Sequence, residues 1–463
     1  MSAIRATYRH PRAAQYRAPG GPWDVATLPL VVGTEPELAG GLRAAGVRRG
    51  DVVAWQAPNT DDVVALYRAC WQLGAVAAPL HHQAGATEVA TVLDRLGPRV
   101  FLGRDEIQDR VTSLRGTGAP VTDSPARGSD PAVVIWTGGS EGEPKGVIHT
   151  HRGLAHKAVT MTRVHGLTAA DVVLMPAPLA HVSGLLNGVL VPGAAGMRTI
   201  LMERWDPELA LELIERERVS FMIGPPTFFV GLMGAPGFSP ARVASLRLVS
   251  SGGAGVTPAF VEEASARLGA VVKRSYGSTE APTITTSYAG DPVSRAISTD
   301  GRVTGATTLR IAADGELLMQ GPELFAGYLD AEQTRASVSR GWFHTGDLAT
   351  LDDGWLTITG RKKDIIIRGG ENIAAAEIER IVEAHPQVRE AAAIGEPDDR
   401  LGERVCLFIV ADAGFDLAEC RRWFERQGVA RYKTPERVEH LAAMPTLAAG
   451  KIDRAALRAR IAR

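Results

Sequence analysis

The segment VVIWTGGSEGEPKG, residues 133–146, constrains this chain more than any other stretch. A buried, strand-like run enters a loop that carries Gly138, Gly139, Gly142 and Gly146, the hydroxyls of Thr137 and Ser140, and Lys145. Glycine lets backbone N–H groups approach oxygens closely and lysine adds positive charge, so such a loop suits phosphate. A Walker A loop needs Ser or Thr after its lysine to reach magnesium, but Gly146 follows Lys145. A dinucleotide fingerprint needs G-x-G-x-x-G opening a helix, and this spacing does not supply it. Gly138-Gly139-Ser140-Glu141-Gly142 does match the nucleophile elbow G-x-S-x-G, which requires a helix directly after the serine. Glu143-Pro144-Lys145-Gly146 is poor helix material, so the hydrolase reading is rejected. On spacing alone, a purely structural glycine turn stays open.

Around this loop the chain alternates strand-like and helix-like patterns. VVAWQAP reads as a buried strand, DDVVALYRACWQLG has apolar residues at helical spacing, and AVAAPL reads as a strand again. Apolar runs ending in turn residues recur at VVLMPAP, FMIGPPT and LRLVSSGG. This alternation predicts an α/β domain with parallel-rich sheets. Further on, DLATLDDGWLTITG alternates apolar and polar residues around Asp353-Gly354 and predicts a hairpin. The charge run RKKD then leads into a compact αβ pattern: IERIVEA helical, VCLFIV a strand, LAECRRWFERQG helical with a glycine stop. The expected division is a large N-terminal domain, residues 1–361, and a small, mobile α+β C-terminal domain, residues 362–463. A chain of 463 residues accommodates both.

Composition narrows the partners. Lys+Arg number 51 against 52 Asp+Glu, which gives no global attraction to nucleic acid or to an anionic membrane. Cys70, Cys406 and Cys420 are far apart and form no CxxC pair, which fits a reducing cytoplasm better than a disulfide scaffold. The most apolar stretch, around Leu185–Met197, is broken by Asn187, Pro192 and glycines, short of the ~20 residues a membrane span needs. A soluble, cytoplasmic protein is expected.

The glycine-rich loop resembles the T-S-G-[ST]-T-G-x-P-K-G signature of adenylate-forming enzymes, and further signatures follow in the family's order. SYGSTE (275–280) resembles Y-G-x-T-E, and HTGD (344–347) matches T-G-D. GRKKDIIIRGGENIAAAEIE (360–379) is similar to the hinge and coenzyme-A-side segment, and PTLAAGKIDRAALR (445–458) to the C-terminal lysine motif. SGGAG (251–255) sits where the family packs backbone against adenine. The GGENIAAAEIE stretch favours the acyl-CoA ligases.

The resemblance implies ATP (held as AMP in an acyl-adenylate), Mg²⁺ and coenzyme A as ligands, with a carboxylic acid as substrate. It implies that Thr137, Ser140 and Lys145 lie in the phosphate loop, and that Gly253, Ala254 and Tyr276 hold the adenine. Thr279 would contact the α-phosphate, and Glu280 would carry Mg²⁺, a hard cation suited to oxygen ligands. Asp347 would accept the ribose hydroxyls, with Arg361 near ribose and phosphate. Lys363 would be the hinge, and Gly369 and Gly370 would open space for pantetheine. Lys451 would meet the carboxylate and α-phosphate. His181 matches a position that gates the acyl pocket, and equally suits a satisfied core histidine. For each of the others alone an ordinary structural role is the simpler reading, and the joint order of the motifs reverses that. Loading of a carrier protein is the alternative to coenzyme A. The segments resembling the pocket wall, including TEAPT (279–283), hold no charge suited to an amino-acid ammonium group once Glu280 is given to Mg²⁺, so a neutral, bulky acid is expected.

One departure stands out. The family has Ser where this chain has Gly138 and Thr where it has Glu141. A carboxylate near the β- and γ-phosphates costs about 4 kcal/mol per charge pair at ~4 Å before screening. An acyl-adenylate, with one phosphate, is affected far less. The expectation is weak adenylation with thioesterification retained, a separate enzyme supplying the adenylate. Against it stands a Glu141 that points to solvent or pairs with a basic side chain.

Overall fold

The computed structural model describes residues 4–9, 27–137, 144–253, 255–368, 371–398, 400–412, 414–447 and 451–461. Gly138, Ser140, Glu141, Ala254, Gly369 and Gly370 lie outside the described residues.

The repeating unit of the N-terminal part is set by local signals. Thr60 caps the helix Asp61–Leu73, its side chain accepting the Val63 N–H, and Gly74 ends the helix at φ +68°. The strands Val52–Ala57 and Val76–His81 flank this helix and pair in parallel. With Val100–Leu102, Pro131–Thr137, Lys145–Thr150 and Gly327–Tyr328 they make a six-stranded sheet. Lys145–Thr150 runs antiparallel to Pro131–Thr137 and is the first element after the glycine-rich loop. A strand thus stands where a nucleophile elbow requires a helix.

A 13-stranded sheet forms the second layer. Its parallel centre holds Val172–Met175, Arg198–Met202, Phe221–Gly224, Leu248–Gly252 and Val271–Tyr276. Beyond Tyr276 it turns antiparallel through to the hairpin Trp342–Asp352/Trp355–Arg361. The parallel-rich expectation describes the centre, and the hairpin expectation describes the far end of this antiparallel extension. At the hairpin turn Asp353 and Gly354 have φ of +48° and +78°, the two left-handed residues of a type I′ turn.

Buried Asn59 fixes the two sheets to each other. It follows the 52–57 strand of the smaller sheet, and its amide donates to the carbonyls of Ala177 and Met202, each at 2.9 Å. Its side-chain oxygen accepts the Leu179 N–H at 2.8 Å. All three partners follow or end strands of the larger sheet, so the carboxyl ends of both sheets face one cleft, the usual location of ligands in α/β folds.

After Arg361 the chain makes one tight turn, Lys362–Asp364, and enters a separate five-stranded sheet. The helices Ala375–Glu383 and Leu417–Arg426 pack on it around Ile378, Leu407, Phe415 and Phe424. Among the described residues no helix is long and apolar enough to cross a membrane.

Candidate active site

Tyr276 ends the 271–276 strand, and its hydroxyl donates to Asp347 Oδ2 at 2.6 Å. Burial, and then the Asp347 charge, push the phenol well above its ordinary range, so it stays a donor. Asp347 lies on the neighbouring hairpin, only 3% exposed, and its second oxygen meets Arg361 Nε at 2.7 Å. The hairpin register places Asp347 opposite Arg361, which is why residues distant in sequence share one carboxylate. The Thr345–Asp347 stretch of this strand is anchored at its backbone. Thr345 Oγ1 accepts the Asp347 N–H, and Glu316 accepts the Gly346 N–H, both at 3.0 Å.

The loop from Tyr276 to Ile284 carries Thr279 and Glu280, and nearly all its carbonyls are accounted for. Ile284 N–H donates to Tyr276, Ala281 N–H to Ser278, Ser278 N–H to Ala281 and Phe325 N–H to Glu280. Buried His149 donates from Nε2 to the Thr279 carbonyl at 2.7 Å. Burial lowers the His149 pKa, which keeps the ring neutral. A loop so satisfied holds its side chains without ligand.

Glu280 receives the Tyr328 hydroxyl at 2.8 Å on one carboxylate oxygen, and its other oxygen takes no hydrogen bond among the described residues. Lys145 stands over the Tyr328 ring, 5.5 Å from its centre. Tyr328 pairs with Val147 two residues past Lys145, so one tyrosine links the base of the glycine-rich loop to the Glu280 carboxylate. Thr137 faces Lys145 across that hairpin. A single carboxylate with an open oxygen near Lys145 fits Mg²⁺, which takes one or two carboxylates together with substrate phosphates.

Lys451 reaches this centre from the C-terminal part. Its Cε would lie 3.7 Å from a Cβ on Gly253, a residue at φ +78°. Burial, and then Arg361, lower its pKa, while Asp347 and Glu280 act in the opposite sense. Its segment is closed by a Thr446–Ile452 bridge and by the Leu447 N–H on the Lys451 carbonyl at 2.7 Å. His181 caps the short helix Val182–Leu185, its Nδ1 accepting the Ser183 N–H at 3.3 Å. Burial, then Lys451 and His81, hold its pKa down to about 4, so it is neutral and adjoins the same cleft. Lys363 stands at the joint between the two parts and lines a cavity of about 250 Å³ with Asp364, Gly395, Glu403 and Arg458.

The structure therefore gathers Gly253, Tyr276, Thr279, Glu280, Asp347, Arg361 and Lys451, with His181 at the edge. Thr137 and Lys145 stand at the base of the glycine-rich loop. Sequence reasoning missed Tyr328, His149 and Glu316, which hold Glu280, Thr279 and Gly346. The Gly327-Tyr328 pair within GPELFAGYL was the available signal for the first.

The AMP-binding enzyme family matches residues 36–329, and its C-terminal domain matches residues 377–451. The chain belongs to this family of AMP-binding enzymes. It is 33% identical to a medium-chain fatty-acid–CoA ligase of Escherichia coli (strain K12), over 92% of the chain and 84% of that protein. It is 34% identical to a feruloyl-CoA synthase of Amycolatopsis sp, over 91% of each. Among solved structures, ATP-bound MatB from Rhodopseudomonas palustris superposes with a TM-score of 0.85 at 27% identity, covering 92% of the chain and 91% of MatB.

Proposed function

We propose that this protein is an acyl-CoA ligase that joins a carboxylic acid to coenzyme A through an acyl-adenylate. The observation that carries the reading is the convergence of Lys451, Glu280, Asp347 and Arg361 on one cleft. In the first step the acid's carboxylate attacks the α-phosphate of ATP and pyrophosphate leaves. Lys451 stabilises charge on the carboxylate and α-phosphate, Thr279 orients the phosphate, and Asp347 and Arg361 hold the ribose side. Mg²⁺ bound at Glu280 would neutralise the phosphate oxygens. In the second step the C-terminal domain rotates at Lys363 and withdraws Lys451. The Gly369-Gly370 segment approaches, and the coenzyme A thiol attacks the acyl carbon to release AMP. Burial and the Arg361 charge destabilise the ammonium of Lys451 before ATP arrives, so phosphate binding relieves a cost already present. The Lys451→Ala variant should lose thioester formation from ATP and acid by at least about 100-fold while keeping conversion of a preformed acyl-adenylate. Equal loss in both assays refutes the division of roles.

The finer reading rests on Glu141 and Gly138. A carboxylate in the phosphate loop disfavours ATP over acyl-AMP, which makes the second half-reaction the stronger one and a separate adenylating enzyme useful. Glu141→Thr should raise ATP-dependent turnover about fivefold or more and leave adenylate-dependent turnover unchanged. No change in ATP-dependent turnover removes this reading and leaves the ligase reading intact.

A further inference from the structure

Two unusual features lie directly behind the loop that carries Thr279 and Glu280. The first is a buried ion pair that the reaction does not use. Lys157, on the helix His151–His165, is 1% exposed at its side chain, and Glu323 is wholly buried, with Nζ and Oε1 3.3 Å apart. Thr307 Oγ1 donates to the other Glu323 oxygen at 2.6 Å, and His156 Nε2 stands 3.4 Å from Oε1. A Cβ on Gly305 would overlap this carboxylate, so the backbone is built closely around it. Taking two charges out of water is unfavourable, and such a pair is weak as a source of stability. Its placement needs another reason.

The second feature is Thr283, at φ +40°. A β-branched residue in the left-handed region is strained, and strain of this kind persists only where the surroundings over-determine it. The surroundings here are Lys157 itself. Its Nζ donates to the Thr283 carbonyl at 3.1 Å, and Thr304 Oγ1 donates to the same oxygen at 2.9 Å. The backbone of Thr283 in turn lies against Gly277, where a Cβ would overlap the Thr283 nitrogen. The ammonium, fixed by Glu323, thus holds the far end of the loop in a conformation that the local sequence disfavours.

We infer that Lys157 and Glu323 are positioning residues that shape the part of the acid-binding wall formed by Ala281–Thr283, through the strained backbone of Thr283. The acid side is singled out because the groups assigned to the nucleotide are held independently. His149 holds Thr279, Phe325 N–H holds Glu280, and Asp347 holds the Tyr276 hydroxyl. Loss of the pair should therefore displace the wall while leaving the nucleotide contacts in place. The inference rests on the acyl-CoA ligase reading above.

The test uses the full chain with Lys157→Met and Glu323→Gln combined, so that no buried carboxylate is left unpaired. It is compared with wild type and with the same double variant carrying Thr283→Gly, since glycine adopts positive φ freely. Octanoate, ferulate and indole-3-acetate are the probe acids. The KM for the accepted acid should rise about tenfold with the KM for ATP unchanged, and Thr283→Gly should reverse most of that rise. An unchanged acid KM, a parallel rise for ATP, or a rise that Thr283→Gly does not reverse each overturns the inference. Wild type that converts none of the three acids leaves hydrogen exchange to decide the positioning claim, and it counts against the ligase reading only where the preformed acyl-adenylates also give no thioester. The Ser278, Ala281 and Ile284 amides should exchange faster in the double variant and slow again with Thr283→Gly. Equal protection in all three proteins overturns it.

Discussion

Replacing Tyr328 by Phe removes one oxygen and tests how Glu280 is held. The ring stays anchored, since it packs edge-on against Phe325 with centres 4.9 Å apart and lies 7% exposed. What is lost is the 2.8 Å bond from a phenol to the Glu280 carboxylate. Burial, followed by the Glu280 charge, raises the Tyr328 pKa, so the bond is present throughout the working pH range. A hydrogen bond to a charged group contributes about 1.5–3 kcal/mol, and Glu280 is half-buried, so the lower end applies. Loss of a partner that orients a metal-binding carboxylate lowers metal affinity roughly 10- to 100-fold. The expectation is a rise of about tenfold in the Mg²⁺ concentration giving half-maximal acyl-adenylate formation. Initial rates of pyrophosphate release across a Mg²⁺ titration at saturating ATP measure it. Turnover of a preformed acyl-adenylate is the internal control and should not change. An unaltered Mg²⁺ dependence refutes the assignment of Glu280 as the metal carboxylate, or of Tyr328 as its support. A tighter Mg²⁺ dependence means that the hydroxyl competes with the metal instead of orienting its ligand.

Asn59→Ala should lower stability by about 3 kcal/mol, read as a lower denaturant midpoint, because it leaves the Ala177 and Met202 carbonyls and the Leu179 N–H unpaired in the core. His165 is buried against Phe221, and burial, then Lys273 and Arg247, push its pKa down from 6.5 to about 3. The unfolded chain binds this proton and the folded chain does not. Its cost is therefore absent above the unfolded pKa and grows as pH falls toward the folded one, reaching on the order of 3 kcal/mol near pH 4. Urea midpoints measured from about pH 7 to 4 should fall less steeply in His165→Leu than in wild type.

Much of the fold was legible because its signals are local. Thr60 and Gly74 bracket a helix by capping chemistry alone, and Asp353-Gly354 dictates a tight hairpin through two positive φ values. The same holds for the strand after the glycine-rich loop, where Pro144 and the flanking glycines speak against a helix. The antiparallel strands that lead from Tyr276 to that hairpin were not legible, because Thr285–Thr286 and Arg302–Val303 are too short to show alternation. In the site, the residues carried by motifs could be named from sequence, and the residues that hold them could not. Tyr328 meets Glu280 from 48 positions away, His149 meets Thr279 across 130, and Lys157 finds Glu323 on another layer. None of these pairs leaves a periodic trace in the chain. Lys157 reads as an ordinary helix lysine until the fold buries it.

Whether one cleft turns an acid into its coenzyme A thioester through acyl-AMP is decided by two assays on one purified sample. Thioester formation is followed from Mg²⁺, ATP and a panel of bulky neutral acids, and in parallel from the matching preformed acyl-adenylates, each with coenzyme A. Thioester and AMP should form from the adenylates at a rate at least equal to that from ATP and acid. An absence of thioester from every adenylate, with coenzyme A present, would contradict it.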